Sequence, residues 1–221
     1  TAQTTTTSTS KNKTNNSNYF TDKDKDSSYD ESKASTVKLS GSSANVSGDG
    51  VAVSGSTVTI SKAGTYVISG ESDGVQIKVE AGDSDDVHIV LKGVTMTNTN
   101  APISATKAGH VYLTLADGTT NTLSDSSSNN DEDADAVIFS KGDLTINGSG
   151  TLNIDAKKNN GIKANDTLHI TGGTYKITAV GDAFNVNDEL NITGTTMTID
   201  ANEDAVKVDN DEDTSVGTMY L

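Results

Sequence analysis

The stretch Leu144-Thr145-Ile146-Asn147-Gly148 returns as Leu168-His169-Ile170-Thr171-Gly172 and again as Leu190-Asn191-Ile192-Thr193-Gly194, at offsets of 24 and then 22 residues. After each glycine comes a second apolar alternation: Thr151-Leu152-Asn153-Ile154, Thr174-Tyr175-Lys176-Ile177 and Thr196-Met197-Thr198-Ile199. Thr218-Met219-Tyr220-Leu221 reads as a further copy of that second run, and a third, shorter strand opens each unit at Val137, Ile162, Phe184 and Val206. Earlier in the chain, Val87-His88-Ile89-Val90-Leu91 matches Val111-Tyr112-Leu113-Thr114-Leu115 at an offset of 24. A unit this short cannot bury its apolar side alone, so copies must stack. Leucine-rich and helical repeats have other consensus spacings, which are absent here. The pattern predicts an all-β fold: a parallel β-helix, a solenoid with three short strands per coil of 22 to 24 residues.

Composition agrees. Only 32% of residues are hydrophobic and 4% aromatic, which suits a thin core of Val, Ile and Leu rather than a bulky globular one. Twenty glycines and one proline, with abundant Thr, Ser, Asn and Asp, describe short strands joined by tight turns. The net charge of −15 disfavours nucleic acid and anionic membranes and attracts divalent cations. The chain has no cysteine, which removes disulfides, Cys-ligated zinc and thiol catalysis, and suits an exported protein. No run approaches the ~20 apolar residues of a membrane span, and no signal-peptide pattern is present, so an exported protein is expected here in its mature form.

Residues 1–36 are rich in Thr, Ser and Asn, then charged, with Tyr19, Phe20 and Tyr29 as the sizeable apolar groups. This composition predicts a disordered tail tethering the domain to a surface. Residues 37–221 form the β-helix domain, with 37–82 as an N-terminal cap and first strands and 83–221 as regular coils.

Stacked turns lie roughly 4.8 Å apart, so residues recurring at the coil period form columns. Asn160, Asp182 and Asp204 make one column, Asp166, Asp188 and Asn210 a second, and Asn165, Asn187 and Asp209 a third. Carboxylates that close repel unless a cation or hydrogen-bond donors intervene. Ca²⁺ takes six to eight oxygens in tolerant geometry, so it is the expected cofactor, bound between coils; solvated turns are the alternative. There is no EF-hand loop and no glycine-rich calcium-roll repeat. His88, His110 and His169 fall in outward-facing strand positions and are expected to be inert. No nucleophilic triad, P-loop or dinucleotide motif appears. Lys163 and Lys207 flank the acidic columns, with Asn185 between them in register, and the chain contains no arginine.

The segments TYVISG, GTTNTLSD, IFSKGDLTINGSGTLNI and NGIKANDTLHITGGT, in that order, resemble the bacterial carbohydrate-binding domain-containing family over about residues 45 to 216. That family includes cell-surface proteins binding cellulose and pectin and is similar in fold to calcium-dependent pectate lyases. The resemblance implies a right-handed coil, calcium between coils, an extracellular, cell-surface location and a plant cell-wall polysaccharide as partner. It places metal binding at Asp135, Asn160, Asp182, Asp188, Asp204 and Asp209. Lys163, Lys207 and Tyr175 are the candidate ligand-binding side chains; Tyr112 and Tyr175 are expected on the surface. With no Trp to stack on neutral sugars, an acidic pectic glycan bridged by Ca²⁺ is favoured over cellulose. The expected function is a non-catalytic adhesin. Two alternatives stand beside it: a calcium-dependent polysaccharide lyase with Lys163 or Lys207 as base, and a filament subunit self-associating through an open C-terminal β-helix edge.

Overall fold

A computed structural model describes residues 19–213 and 215–221. The described chain is all-β apart from one helical turn, Asp22–Lys25. Parallel strands stack coil upon coil, and three outer faces result. The first face carries Asp86–Leu91, His110–Leu115, Leu144–Gly148, Thr167–Thr171 and Glu189–Thr193 in register. The second carries Thr95–Thr97, Thr120–Ser124, Thr151–Ala156, Thr174–Ala179 and Thr196–Ala201. The third runs from Thr57–Ile60 through Gln76–Glu80, Ile103–Lys107, Ala136–Ser140, Asn160–Ala164 and Phe184–Val186 to Val206–Val208. The long strand Asp86–Thr97 bends from the first face onto the second, which joins those two into one continuous sheet.

Alternation within each strand drives this arrangement. In Thr151–Ala156 the residues Leu152, Ile154 and Ala156 are buried while Asp155 is exposed, and in Thr174–Ala179 Tyr175, Ile177 and Ala179 are buried against exposed Thr174, Lys176 and Thr178. The inward side chains form one continuous core from Val37 to Leu190. The glycine ending the first-face strand has a steric reason: Gly148 sits at φ +94°, and a Cβ there would lie 2.3 Å from the Leu115 carbonyl oxygen of the coil below.

At the N-terminal end the coil pattern gives way to antiparallel pairs. Ser35–Gly41 pairs with Ser43–Ser47, and Val51–Ser54 pairs with Thr57–Ile60. At the other end, Thr218–Tyr220 pairs with Glu189–Asn191 and so belongs to the first face. The sequence alone aligned it with the second-face runs. The shared Thr-Met pattern with Thr196-Met197 misled that alignment, because the acidic stretch that begins at Asp209 stands where a first-face strand would have intervened.

The tail assignment is also revised. Residues 1–18 of it lie outside the described residues, but residues 19–34 lie as a strap along the outside of the first face. Phe20 and Asp24 are both buried there. The physical reason is local: Thr21 and Asp24 form a capping box that closes one turn, and this turn presents its carboxylate and carbonyls to polar side chains of the sheet.

Candidate functional site

The strap runs antiparallel to the growth of the coils. Tyr19 stacks on Tyr220 at 3.9 Å, and its carbonyl accepts from Asn191 Nδ2. Phe20 meets the His169 ring edge-on at 5.4 Å. Asp24, 1% exposed, accepts from Thr21 N and Oγ1 and from Thr145 Oγ1, each at 2.7 Å, and lies 3.2 Å from His169 Nδ1. Its main-chain carbonyl takes Thr171 Oγ1 at 2.6 Å and Asn147 Nδ2 at 3.2 Å. Lys23 pairs with Asp86 and lies over the Tyr112 ring, and Glu31 pairs with Lys92. Burial of Asp24 works against its charge, yet the adjacent His169 ring and the Thr145 and Thr21 hydrogen bonds prevail and hold it far below the usual carboxylate range.

The three histidines do point outward, as expected, but this face is covered. His88 Nε2 contacts Thr114 Oγ1 at 2.7 Å and His110 Nε2 contacts Thr145 Oγ1 at 2.9 Å. Burial lowers the pKa of both His88 and His110. Tyr112, stacked on His110 at 4.1 Å, has its phenol pushed up to about 12 by burial.

The predicted acidic columns form, with a different use for several members. Asn160 Oδ1 accepts from Asp182 N at 3.1 Å, and Asp182 Oδ1 accepts from Asp204 N at 3.0 Å; the second Asp182 oxygen takes Asn185 Nδ2 at 2.7 Å. Asn160 and Asp182 are buried, at 3% and 2% exposure. They are rungs that tie each coil to the next, and their oxygens are already engaged by protein donors. Asp135 is likewise occupied, by Lys163 Nζ at 2.8 Å and Asn159 Nδ2 at 2.6 Å. Asp209 lies 3.6 Å from Lys207 Nζ. Asp204 is exposed.

Asp188 differs. It sits at a coil corner whose column includes Asp166, and burial together with Asp143 and Asp188 raises the Asp166 pKa. Asn210 Nδ2 donates to Asp188 Oδ1 at 2.7 Å. Among the described residues, no three His, Asp or Glu side chains are preformed into a metal site. The corner therefore offers carboxylates that disfavour one another's charge, without a closed cage.

Tyr175 is not on the surface. Its register partners are Leu152 and Met197, it is 1% exposed, and its hydroxyl donates to Gly172 O at 3.0 Å. The alternation Thr174-Tyr175-Lys176 decides this, since the neighbours face out. It is a core residue with no access to a ligand. Lys163 and Lys207 do share a column on the third face with Asn185 between them. Part of that face is covered too: Phe139 packs under Ala134 and Ala101.

Among the described residues, the second face carries no comparable cover. Its outward positions form ladders: Thr120, Thr151, Thr174 and Thr196 in one column, Thr95, Thr122, Asn153, Lys176 and Thr198 in the next. A third column holds Thr97, Ser124, Asp155, Thr178 and Asp200. A groove of about 470 Å³ crosses it between Thr122, Asn153, Asp155, Lys176 and Thr178. Hydroxyls, amides and charges thus repeat every ~4.8 Å along the solenoid and every ~6.6 Å along each strand. The sequence reading missed this face because it weighed acidic turns rather than the Thr-x-Thr and Thr-x-Asn alternation that marks it.

The profile of the carbohydrate-binding domain-containing protein family matches residues 54–221, most of the chain. The protein belongs to that family. A carbohydrate-binding domain-containing protein of Acetivibrio thermocellus is 39% identical over 128 residues, covering 55% of this chain. The match spans 45% of that relative's length. A solved structure, described as the polysaccharide lyase-like protein from C. thermocellum, gadolinium derivative, superposes with a TM-score of 0.81 at 34% identity. It covers 85% of this chain and 79% of its own. For a member of the carbohydrate-binding domain-containing family, ladders of hydroxyl, amide and charged groups are suited to hydrogen-bonding a sugar chain.

Proposed function

We propose that this protein is a secreted, cell-surface polysaccharide-binding protein that holds an extended glycan across its second face without cleaving it. The observation that carries this is the open face itself: a flat, regular array of Thr, Asn, Asp and Lys, beside a first face covered by its own chain. A polymer with repeated hydroxyls matches a surface with repeated donors and acceptors, and many weak contacts add along its length. In this reading the coil is right-handed, as crossovers between parallel strands nearly always are.

The glycan is an acidic, pectic one and calcium is its bridge. With a net charge of −15 the protein repels uronate unless a cation intervenes. Asp155 and Asp200, in one outward column of that face, would supply oxygens, the glycan carboxylates completing the coordination.

The test is isothermal titration of polygalacturonate into the protein with calcium and with excess chelator, using wild type, Asn153→Ala and Lys176→Ala. Binding that disappears with chelator and weakens in both variants is expected. Binding untouched by either variant would remove the second face from the reading, and binding unchanged in chelator would remove the calcium. The lyase-like name of the relative motivates one further measurement, ultraviolet absorbance of unsaturated uronate during incubation with pectate. The reading expects none, because the amines of Lys163 and Lys207 face the carboxylates of Asp135 and Asp209.

A further inference from the structure

Along one edge of the first face the register sets His110, Asp143, Thr167 and Glu189 in a single outward column, one residue per coil. At ~4.8 Å per coil that column is about 14 Å long. The strap does not lie on it but beside it, with Tyr19, Phe20 and Thr21 forming the opposite bank. Between them runs a cleft of about 600 Å³, open to solvent and also bordered by His169.

The groups in this cleft have capacity to spare. Asp143 Oδ1 accepts from Thr167 N at 3.1 Å, and Glu189 Oε1 accepts from Asn191 Nδ2 at 2.5 Å. The second oxygen of each carboxylate has no protein donor among the described residues. His169 lends its ring to Phe20, and Tyr19 stacks on Tyr220. The cleft thus pairs aromatic carbon on one side with carboxylate acceptors on the other. Its size is in the range of pockets that enclose small ligands.

We infer that this cleft between strap and column is a second sugar subsite, which takes a short neutral oligosaccharide. Pyranose rings present apolar C–H faces for the half-buried Tyr19 ring and hydroxyl donors for Asp143 and Glu189. A uronate is disfavoured there, because two carboxylates line one bank and the neighbouring His110 is held toward its neutral form by burial. The inference rests on the carbohydrate reading above but assigns a different site and a different sugar chemistry. It also gives the strap a role: its aromatic residues complete a binding site as well as cover the sheet.

The experiment is titration of cellotetraose, followed by ¹H–¹⁵N chemical shift and calorimetry, into the full chain and into Glu189→Ala, Glu189→Gln, Tyr19→Ala and the second-face variant Asn153→Ala. The inference expects shifts confined to residues of the strap and column, a loss of affinity of tenfold or more in Glu189→Ala and Tyr19→Ala, a smaller loss in Glu189→Gln, and none in Asn153→Ala. Unchanged amide spectra away from the site identify the variants as folded. No saturable shift in wild type up to millimolar cellotetraose overturns the subsite, as does wild-type affinity in Glu189→Ala and Tyr19→Ala. Cellotetraose binding lost in Asn153→Ala and kept in Glu189→Ala overturns it in favour of the second face. Failure of polygalacturonate to bind while cellotetraose shifts the cleft would count against the proposed function alone.

Discussion

Replacing Asp24 by Ala tests whether the strap is held as described. One buried carboxylate takes Thr21 N, Thr21 Oγ1 and Thr145 Oγ1 at 2.7 Å and faces His169 at 3.2 Å. A hydrogen bond to a charged group contributes about 1.5–3 kcal/mol, and removing one partner of a buried pair costs about 3–5 kcal/mol. These contributions share one side chain and are not additive, so about 3 kcal/mol is the working figure. At 1.4 kcal/mol per decade that is roughly a 100-fold shift toward the undocked strap. The strap carries few apolar contacts, so it is expected to release locally rather than unfold the coils. Limited trypsinolysis at neutral pH, read by mass spectrometry for cleavage after Lys23 and Lys25, reports the open population when opening is fast relative to cleavage. Asp24→Ala should be nicked roughly 100-fold faster than wild type, and Asp24→Asn at an intermediate rate. A variant nicked within about threefold of wild type would refute the reasoning. The pH dependence has a definite sign. The folded pKa of Asp24 is depressed, so its contribution is complete above the unfolded value of about 3.9 and is lost as pH falls toward the folded one. Hydrogen exchange of residues 19–34 should therefore be flat from pH 7 to 5, after correction for intrinsic rates, and accelerate below about pH 4.

Two further outcomes follow from the geometry. Asp182→Ala leaves Asp204 N and Asn185 Nδ2 without their acceptor, and a loss of about 2–3 kcal/mol is expected by urea unfolding, equal with and without calcium, while Asp182→Asn recovers much of it; a loss that appears only with calcium would return Asp182 to the metal. His88 and His110 are half-buried, with pKa values lowered by desolvation, so their contribution is complete above the unfolded value of about 6.5 and is lost as pH falls below it. The urea midpoint should drop between pH 7 and 5 in wild type, and that slope should shrink in a His88→Gln, His110→Gln double variant.

The parallel solenoid, its coil length, the stacking of Asn160, Asp182 and Asp204 and the register of Lys163, Asn185 and Lys207 were legible in the sequence. Each follows from a spacing of 22 to 24 residues, and in stacked coils a recurring position in the chain is a recurring position in space. Tyr175 was legible too, because in the Thr174-Tyr175-Lys176 alternation its two polar neighbours face out and the ring faces the core. The role of the ladder oxygens was not, because a column of Asp and Asn looks the same whether it binds a cation or the next coil's N–H.

Tertiary structure alone decided which faces are free. The strap joins residues far apart in the chain, 121 positions between Asp24 and Thr145 and 172 between Tyr19 and Asn191. A polar, nonrepeating segment of this kind carries no periodicity. The capping box of Thr21 and Asp24 announces a turn but not its docking site. Period is a local property that a chain writes into its own sequence, whereas the docking of an irregular segment depends on side chains of several coils that come together only once the coils have stacked.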